Sequence, residues 1–417
     1  MQWLFFFMQQ NELIPHLFRT EYSRITAVLC KFFGSGSIAV AEDIASDTFL
    51  LATETWGIKG LPENPSAWLY KVAKNKALNY LKRDKLFHDK IVKEINTGET
   101  VADEVEIDLS GQHIKDSQLE MMFAICHPSI PQDAQIGLSL RILCGFGIDE
   151  IAAAFLTNKE TINKRLFRAR QILRAEQPDI ELPGPHAIND HLKTVLTTIY
   201  LLFNEGYYSQ SGDKQLRKDL CLEAMRLTLS LLDNPATDQP AVNALLSLMC
   251  YHSSRFEART GTDGKIILYE DQDELQWNKE LIERGNYYLN KAASGKMLSR
   301  YHIEAAIAYW HTIKADTPEK WASILQLYNQ LLIIEYSPVA ALNRTYALSK
   351  VRGKEAAIAE AEKLGLKEQH LYYSLLANLY RDLDNGKSLT YLHTALELAK
   401  TDADKALIRQ KIMELGR

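Results

Sequence analysis

The sequence predicts an all-α protein, and three observations carry that prediction. Apolar residues recur at i, i+3, i+4 and i+7 along most of the 417-residue chain, which gives each helix one buried face. Glycine- and proline-bearing stretches at 34–37, 57–65 and 178–185 cut the periodic pattern into helix-length pieces. Beyond residue 186 almost everything reads as helix, in segments of roughly 10–18 residues. Composition then divides the chain. Residues 8–90 form a first helical module, 91–116 an acidic flexible linker, 117–176 a second small module ending in a helix-turn-helix, and 186–417 a helical extension.

Whole-chain numbers exclude several classes. The net charge is −5, so any nucleic-acid contact has to come from local basic patches. Cys30, Cys126, Cys144, Cys221 and Cys250 are widely spaced, with no C-x-x-C, which argues against a disulfide framework or zinc ribbon and for a reduced setting. The opening MQWLFFFM is too short to span a bilayer and lacks a basic n-region; it reads as an upstream extension, with the conventional start near Met8. No apolar run approaches the roughly 20 residues of a membrane span, so none is predicted.

Leu13, Leu17, Tyr22, Ile25, Val28 and Leu29 predict the first helix, which Gly34-Ser35-Gly36-Ser37 interrupts. Ile38, Ala41, Ile44, Ala45, Thr48, Phe49 and Ala52 predict the second, as far as Trp56. Its other face carries Glu42, Asp43 and Asp47. Residues 57–65 read as loop. A third helix follows, with Leu69, Val72, Ala73, Ala77, Tyr80 and Leu81 on the buried side and Lys71, Lys74, Lys76, Lys82, Arg83 and Lys85 supplying charge. From 57 to 90 there are eight basic residues against three acids, with Trp68, Asn75 and Asn79 among them. Cations interleaved with aromatic and amide groups suit single-stranded or melted nucleic acid, whose bases stack and offer their edges. Trp68 reads equally well as a core residue.

Residues 94–116 hold seven acids and one lysine, the composition of a flexible tether. Helices are predicted around Met121, Phe123 and Ile125 and around Ile136, Leu140 and Leu143. They lead into two short helices at 146–174, with Ile148, Ile151, Ala152 and Phe155 on one buried face and Ile162, Leu166, Ala169 and Leu173 on the other. Thr157-Asn158-Lys159-Glu160 between them has the form of a capping box. From 157 to 174 six basic residues stand against one acid, which suits a recognition helix in a DNA major groove. On pattern alone, a helical hairpin with a solvated basic face fits as well.

In the extension, helices are predicted at 191–204, 215–232, 242–257, 274–290, 302–313, 321–334, 338–350, 356–364, 370–382, 387–400 and 403–415. The last several pair as hairpins of tetratricopeptide (TPR) length. Ala341, Leu342, Ala347, Leu348, Tyr373, Ala377, Tyr380, Ala395 and Leu398 supply the small and aromatic packing of such TPR-like repeats. The acids Asp263, Glu270, Asp271, Asp273 and Glu274 lack the order of a Ca²⁺ loop, His302 and His311 have no ligand spacing, and His191 is most simply a helix residue. No catalytic residue, metal site or cofactor is predicted.

Three blocks in this order resemble a bacterial extracytoplasmic-function (ECF) sigma factor of the sigma-70 family. AEDIASDTFLLATETW is similar to its region 2.2, NPSAWLYKVAKNKALNYLKR to regions 2.3–2.4, and IDEIAAAFLTNKETINKRLFRARQILR to region 4.2, which ends R-L-x-R-A-R-x-x-L-R. YLLFNEGYYSQSGD and RKDLCLEAMRL further on resemble the long helical extension of one ECF subgroup, a built-in regulatory module. The resemblance implies a protein that binds core RNA polymerase, at the β′ clamp and β flap, and promoter DNA. Asp43, Asp47 and Phe49 would serve core binding. Trp68, Lys74, Asn75, Asn79, Lys82 and Arg83 would read the −10 element, with 57–64 as the loop for a flipped base. Lys159, Thr161, Lys164, Arg165, Arg168 and Arg170 would read the −35 element. The acidic linker would thread the RNA channel. A bacterial cytoplasmic location, no membrane partner, and a protein or ligand partner for the extension follow from the same likeness.

The sequence departs from the pattern at Ser46-Asp47, where a Gln-Glu pair is usual, at Leu156, where Gly is frequent, and at Lys164, where Ser is frequent. A promoter-binding helix-turn-helix regulator with a protein scaffold is the alternative function. An enzymatic extension has no positive motif behind it.

Overall fold

The computed structural model describes residues 10–92, 107–155, 157–184, 186–208, 214–259, 267–295, 297–399 and 402–415. Every regular element among them is helical, as the periodicity predicts. The apolar opening 1–8, most of the acidic linker, Leu156 and Asp263 lie outside the described residues. The chain divides into two compact units, Met1–Leu231 and Leu232–Arg417.

The first unit is built around α1 (Gln10–Phe33), which packs on α2 (Ile38–Lys59), α3 (Pro65–Val92) and α4 (Gly111–Ile125). Tyr22, Ile25, Val28, Leu29 and Cys30 of α1 are buried, one stripe of the predicted periodicity. A 3₁₀ turn at Ser35–Ser37 joins α1 to α2. α2 runs past the expected end at Trp56 to Lys59, and stops where Gly60 takes φ +79 and donates its N–H to the Trp56 carbonyl at 3.0 Å. A side chain is strained in that left-handed region, and glycine is not. Asn64 caps α3 by accepting the Ala67 N–H at 3.0 Å. The Ser66 hydroxyl, at 3.1 Å, and the Tyr70 hydroxyl both donate to the Glu21 carboxylate, which ties the start of α3 to α1.

α4 begins at Gly111, inside the stretch expected as linker, with Ser110 accepting the His113 N–H at 3.4 Å. α5 (Gln132–Leu138) continues into a π-helical segment at Ser139–Leu143. There the Cys144 N–H reaches the Ser139 carbonyl at 3.1 Å, a bulge of the kind that re-aims side chains. α6 (Ile148–Ala154) and α7 (Lys159–Glu176) form the helix-turn-helix, and Ile151, Ile162, Leu166, Ala169 and Leu173 are buried as expected. The cap differs from the expectation. Asn158, not Thr157, accepts the Thr161 N–H at 2.8 Å, so the helix starts one residue later than a Thr157 box requires.

The expected domain boundary at 177–186 falls inside the first unit. α8 (Ile188–Tyr208) lays its buried stripe of Leu192, Val195, Leu196, Ile199, Leu202 and Phe203 within that unit, packing on α4 and α5. Thr198 donates to the Gln135 side chain at 2.9 Å. α9 (Lys214–Leu232) ends at the observed boundary.

The second unit starts with α10 (Pro240–Ser253), α11 (Phe256–Arg259), α12 (Lys279–Ala292) and α13 (Arg300–Trp310). The single helix expected at 242–257 is therefore broken. α10 crosses α12 at Gly285, where a Cβ would lie 2.5 Å from the Tyr251 ring, so only glycine lets the two helices approach. Ser247 donates to the Gly285 carbonyl at 2.8 Å at the same crossing. α14 (Pro318–Ile334), α15 (Pro338–Arg352), α16 (Lys354–Leu364), α17 (His370–Tyr380), α18 (Asn385–Leu398) and α19 (Asp402–Leu415) then pack each on the next. α15, α17 and α19 start 32 residues apart, and Ala347 and Leu379, also 32 apart, are both buried.

Candidate nucleic-acid and polymerase interface

α2 is amphipathic in an unusual way. Its core side holds Ala41, Ile44, Ala45, Thr48, Phe49, Ala52 and Trp56, all buried. Its opposite side carries exposed Asp43 and Asp47, as expected, whereas Glu42, expected on the same exposed face, is buried. That side also carries Leu50, 60% exposed, Leu51, and Ile58, 87% exposed, which the sequence reading passed over. The signal was available: these apolar residues fall out of phase with the buried set. An acidic face with an apolar stripe is the composition of a protein-docking surface. Phe49 is 3% exposed and supports the helix from behind rather than lying on the surface. Lys76 of α3 reaches Asp47 at 3.2 Å, in an exposed pair that water screens.

On α3, Lys71, Asn75, Asn79 and Lys82 are exposed at spacings of four, four and three, so they share one outer face, and Arg83 is exposed beside them. Lys74 is half-buried and faces Asp108, whose carboxyl is held below the usual range by the Ser110 N–H first and by Lys74 among lesser causes. Trp68 is half-buried. It meets the buried Trp56 edge-on at 5.3 Å, so it belongs partly to the core, and its backbone N–H donates to the Asn64 carbonyl at 3.1 Å.

α7 divides its cations. Lys164 and Arg168 are exposed, together with Asn163, Gln171 and Phe167, the last 60% exposed. Lys159 pairs with Asp149 at 2.7 Å on the surface, and Thr161 is half-buried over the cap. Arg165, expected to read the −35 element, instead lies over the Phe155 ring at 5.3 Å and 3.5 Å from Asp133. Arg170, expected in the same role, turns inward to Glu42 of α2 at 2.5 Å. The other Glu42 oxygen accepts from Arg141 Nε at 2.9 Å, and Arg141 also donates to the Tyr22 hydroxyl and the Phe146 carbonyl, each at 3.1 Å. Nothing in the local pattern pointed to this cluster, because Glu42 lies 99 positions from Arg141.

Two surfaces of the first unit thus present nucleic-acid chemistry, and a third presents protein-docking chemistry. Residues 17–86, which include α2 and most of α3, match sigma-70 region 2. Residues 191–293 match a family of unknown function, DUF6596. The uncharacterized protein R00370 of Rhizobium meliloti (strain 1021) is 33% identical over 390 residues, 91% of each chain. No solved structure matches. The match to region 2 in an all-α chain supports a factor of the sigma-70 type, and region 2 implies binding to core RNA polymerase and to promoter DNA. The chain belongs to the same family as the R. meliloti protein, which it matches over nearly its whole length.

No described helix is long and apolar enough to cross a membrane. Among the described residues no group of three His, Cys, Asp or Glu gathers to hold a metal ion.

Proposed function

We propose that the protein is an RNA polymerase sigma factor of the extracytoplasmic-function type, carrying a TPR-like extension that modulates it. Such a factor makes and breaks no covalent bonds. It binds core polymerase, reads two promoter elements and holds melted DNA. The outer face of α2 docks on the β′ clamp. Asp43 and Asp47 steer it to basic groups, while Leu50, Leu51 and Ile58 provide apolar contact area.

The outer face of α3 reads the −10 element. Asn75 and Asn79 offer amide hydrogen bonds to base edges, and Lys74, Lys82 and Arg83 hold phosphates, which position without specifying. The Gly60–Asn64 loop beside Trp68 takes the flipped base. Flipping costs a few kcal/mol, offset by stacking and edge hydrogen bonds in the pocket.

α7 reads the −35 element in the major groove. Lys164 and Arg168 donate to guanine O6 and N7, the commonest specific contact. Lys159 and Thr161 meet the backbone at the helix start. Arg165 positions the helix through Phe155, and Arg170 takes a phosphate once it has left Glu42. The acidic linker runs in the RNA channel, and the protein works in the bacterial cytoplasm.

The observation that carries this reading is the acid-and-leucine stripe on α2, within the span that matches region 2. A regulator that only binds DNA has no use for it. Run-off transcription with purified core polymerase tests the reading. A promoter-dependent transcript that requires this protein is expected. DNA binding without transcription from any cognate promoter overturns it in favour of a helix-turn-helix regulator.

A further inference from the structure

In the second unit Arg255, Lys314, Lys320, His311 and Trp277 gather around the Tyr269 ring. Arg255 Cζ lies 5.5 Å from the ring centre, and the ammonium nitrogens of Lys314 and Lys320 lie 5.2 Å from it. His311 meets the ring edge-on at 5.2 Å, and Trp277 stacks on it at 6.1 Å. The cations come from separate places in the chain: Arg255 just before α11, Lys314 after α13, and Lys320 in the first turn of α14. Neutral oxygens hold the ammoniums, carbonyls for Lys314 and the Tyr269 hydroxyl and Ile313 carbonyl for Lys320. The acids nearby are engaged elsewhere. Asp316 takes Trp321 Nε1 and, at 3.3 Å, Lys350, while Glu270 accepts from the Tyr346 hydroxyl at 2.8 Å.

Arg255 is the cation left over. It is buried, and its Nε has no hydrogen-bond partner among the described residues. A tyrosine face attracts a guanidinium, but less strongly than the water that burial strips away. A buried charge is ordinarily paired or neutralised, and arginine does not give up its proton. Two more buried polar atoms stand without a partner in the same frame, Trp277 Nε1 and Gln272 Oε1. The Asn278 N–H donates to the Ser254 carbonyl at 2.8 Å, which brings the chain at Trp277 alongside Arg255. Gln272 is fixed by its Nε2, which donates to the Ile267 carbonyl at 3.2 Å. The frame therefore offers a guanidinium fork, an indole donor and one amide acceptor. His311 registers the surplus of positive charge, pushed down to about 3 by burial first and then by Arg255 and Lys320. Tyr269, His311 and Lys314 are half-buried, so the frame reaches the surface.

We propose that these groups form a binding site for a phosphate group, free or carried on a small molecule. The site goes beyond the sigma-factor reading and stands without it. The Arg255 fork pairs with two phosphate oxygens, and Trp277 Nε1 donates to a third. Lys314 and Lys320, already fixed by their oxygens, add positive field without having to move. Near neutral pH a phosphate retains an O–H part of the time, and Gln272 Oε1 accepts it. A sulfate or a carboxylate brings no such donor.

Titration calorimetry of the full chain with inorganic phosphate, in chloride at constant ionic strength, tests the site. Arg255→Met should weaken this binding at least tenfold. Trp277→Phe, which keeps a ring and removes the donor, should weaken it severalfold. Phosphate held on the basic faces of α3 and α7 would persist in both variants. Without phosphate, Arg255→Met should melt no lower than the parent, because it removes an unpaired buried charge. Added phosphate should raise the midpoint of the parent and leave that of Arg255→Met in place. Sulfate should bind at least severalfold more weakly than phosphate. Tighter binding of glycerol phosphate assigns the site to a phosphate monoester and weaker binding to the free ion, and either result supports it. No phosphate binding, binding unchanged in Arg255→Met, equal binding of sulfate, or an Arg255→Met variant that melts well below the parent without phosphate overturns the site.

Discussion

The two units bury charge in opposite ways. In the first, the Glu42 carboxylate lies between the guanidiniums of Arg141 and Arg170. In the second, the cations gathered around Tyr269 meet mainly neutral groups. Lys320, 1% exposed, donates to the Tyr269 hydroxyl at 3.0 Å and to the Ile313 carbonyl at 2.6 Å. Lys314 donates to the carbonyls of Tyr269, Glu270 and Gln272 at 2.8–2.9 Å, and Arg255 lies 5.5 Å from the centre of the Tyr269 ring. An ion pair can trade its partner for another ion, a phosphate included. An ammonium holding backbone carbonyls has no equivalent exchange available and acts as a fixed pin.

The largest expected effect tests the pin. Lys320→Met keeps the side-chain length and removes the charge and its donors, leaving the Ile313 carbonyl and the Tyr269 hydroxyl without that partner. We expect a loss of about 2–4 kcal/mol in the second unit, read as a lower thermal midpoint, with the first unit unaffected. A loss below about 0.5 kcal/mol would show that the cluster is no more than a solvated patch.

Next comes the division of cations along α7. Arg168→Ala should cost about 1–3 kcal/mol in binding to a −35 duplex and relax its sequence preference. Arg165→Ala should cost less in DNA binding and more in stability, because Arg165 is engaged with Phe155 and Asp133. Fluorescence anisotropy with matched and mismatched duplexes separates the two. The reverse ranking would mean that the inward position of Arg165 is abandoned on DNA.

On α3 the readers face outward, so their loss should be felt directly and modestly. Asn75→Ala should lower promoter opening by about fivefold, the worth of one hydrogen bond near 1 kcal/mol. Lys82→Ala should reduce the slope of log affinity against log salt by about one. Permanganate footprinting and a salt titration read these effects. Equal losses on duplexes with and without a −10 element would assign both residues to nonspecific binding.

What the sequence revealed follows from which interactions are local. Periodicity located the buried stripe of α7 and the packed face of α1, because a helix face is set by spacing alone. Caps were legible only to within one residue, since Thr157 and Asn158 are both competent acceptors. Gly57 read as loop but lies within α2, because tertiary packing of Trp56 outweighs the local cost of a helical glycine. The prolines at 178–185 mark a loop and not a domain boundary, because the apolar stripe of α8 finds its cover on α4 and α5. The inward turn of Arg165 and Arg170 was invisible, because Asp133 and Glu42 lie far off in the chain. The exposed leucines of α2 were visible as a phase error and were missed.

The smallest effect concerns acid, and it separates the units again. The second unit holds His311, pushed down to about 3 by burial and, secondarily, by Arg255 and Lys320. His252 is also pushed well down, by burial first and then by Arg255, Arg259 and His311. In the unfolded chain a histidine titrates near 6.5. The folded unit therefore keeps both rings neutral while the unfolded chain gains protons below that value. The stabilisation is complete above pH ~6.5 and is lost as pH falls from there toward the folded value. At pH 5.5 the loss from His311 alone is about 1 kcal/mol, or about 2–4 °C in the midpoint of a unit this size. His311→Asn should flatten that dependence between pH 7.5 and 5.5 in calorimetry, with His252 left to supply the rest. A midpoint that does not move with pH in the parent protein would mean that the rings take up protons without unfolding.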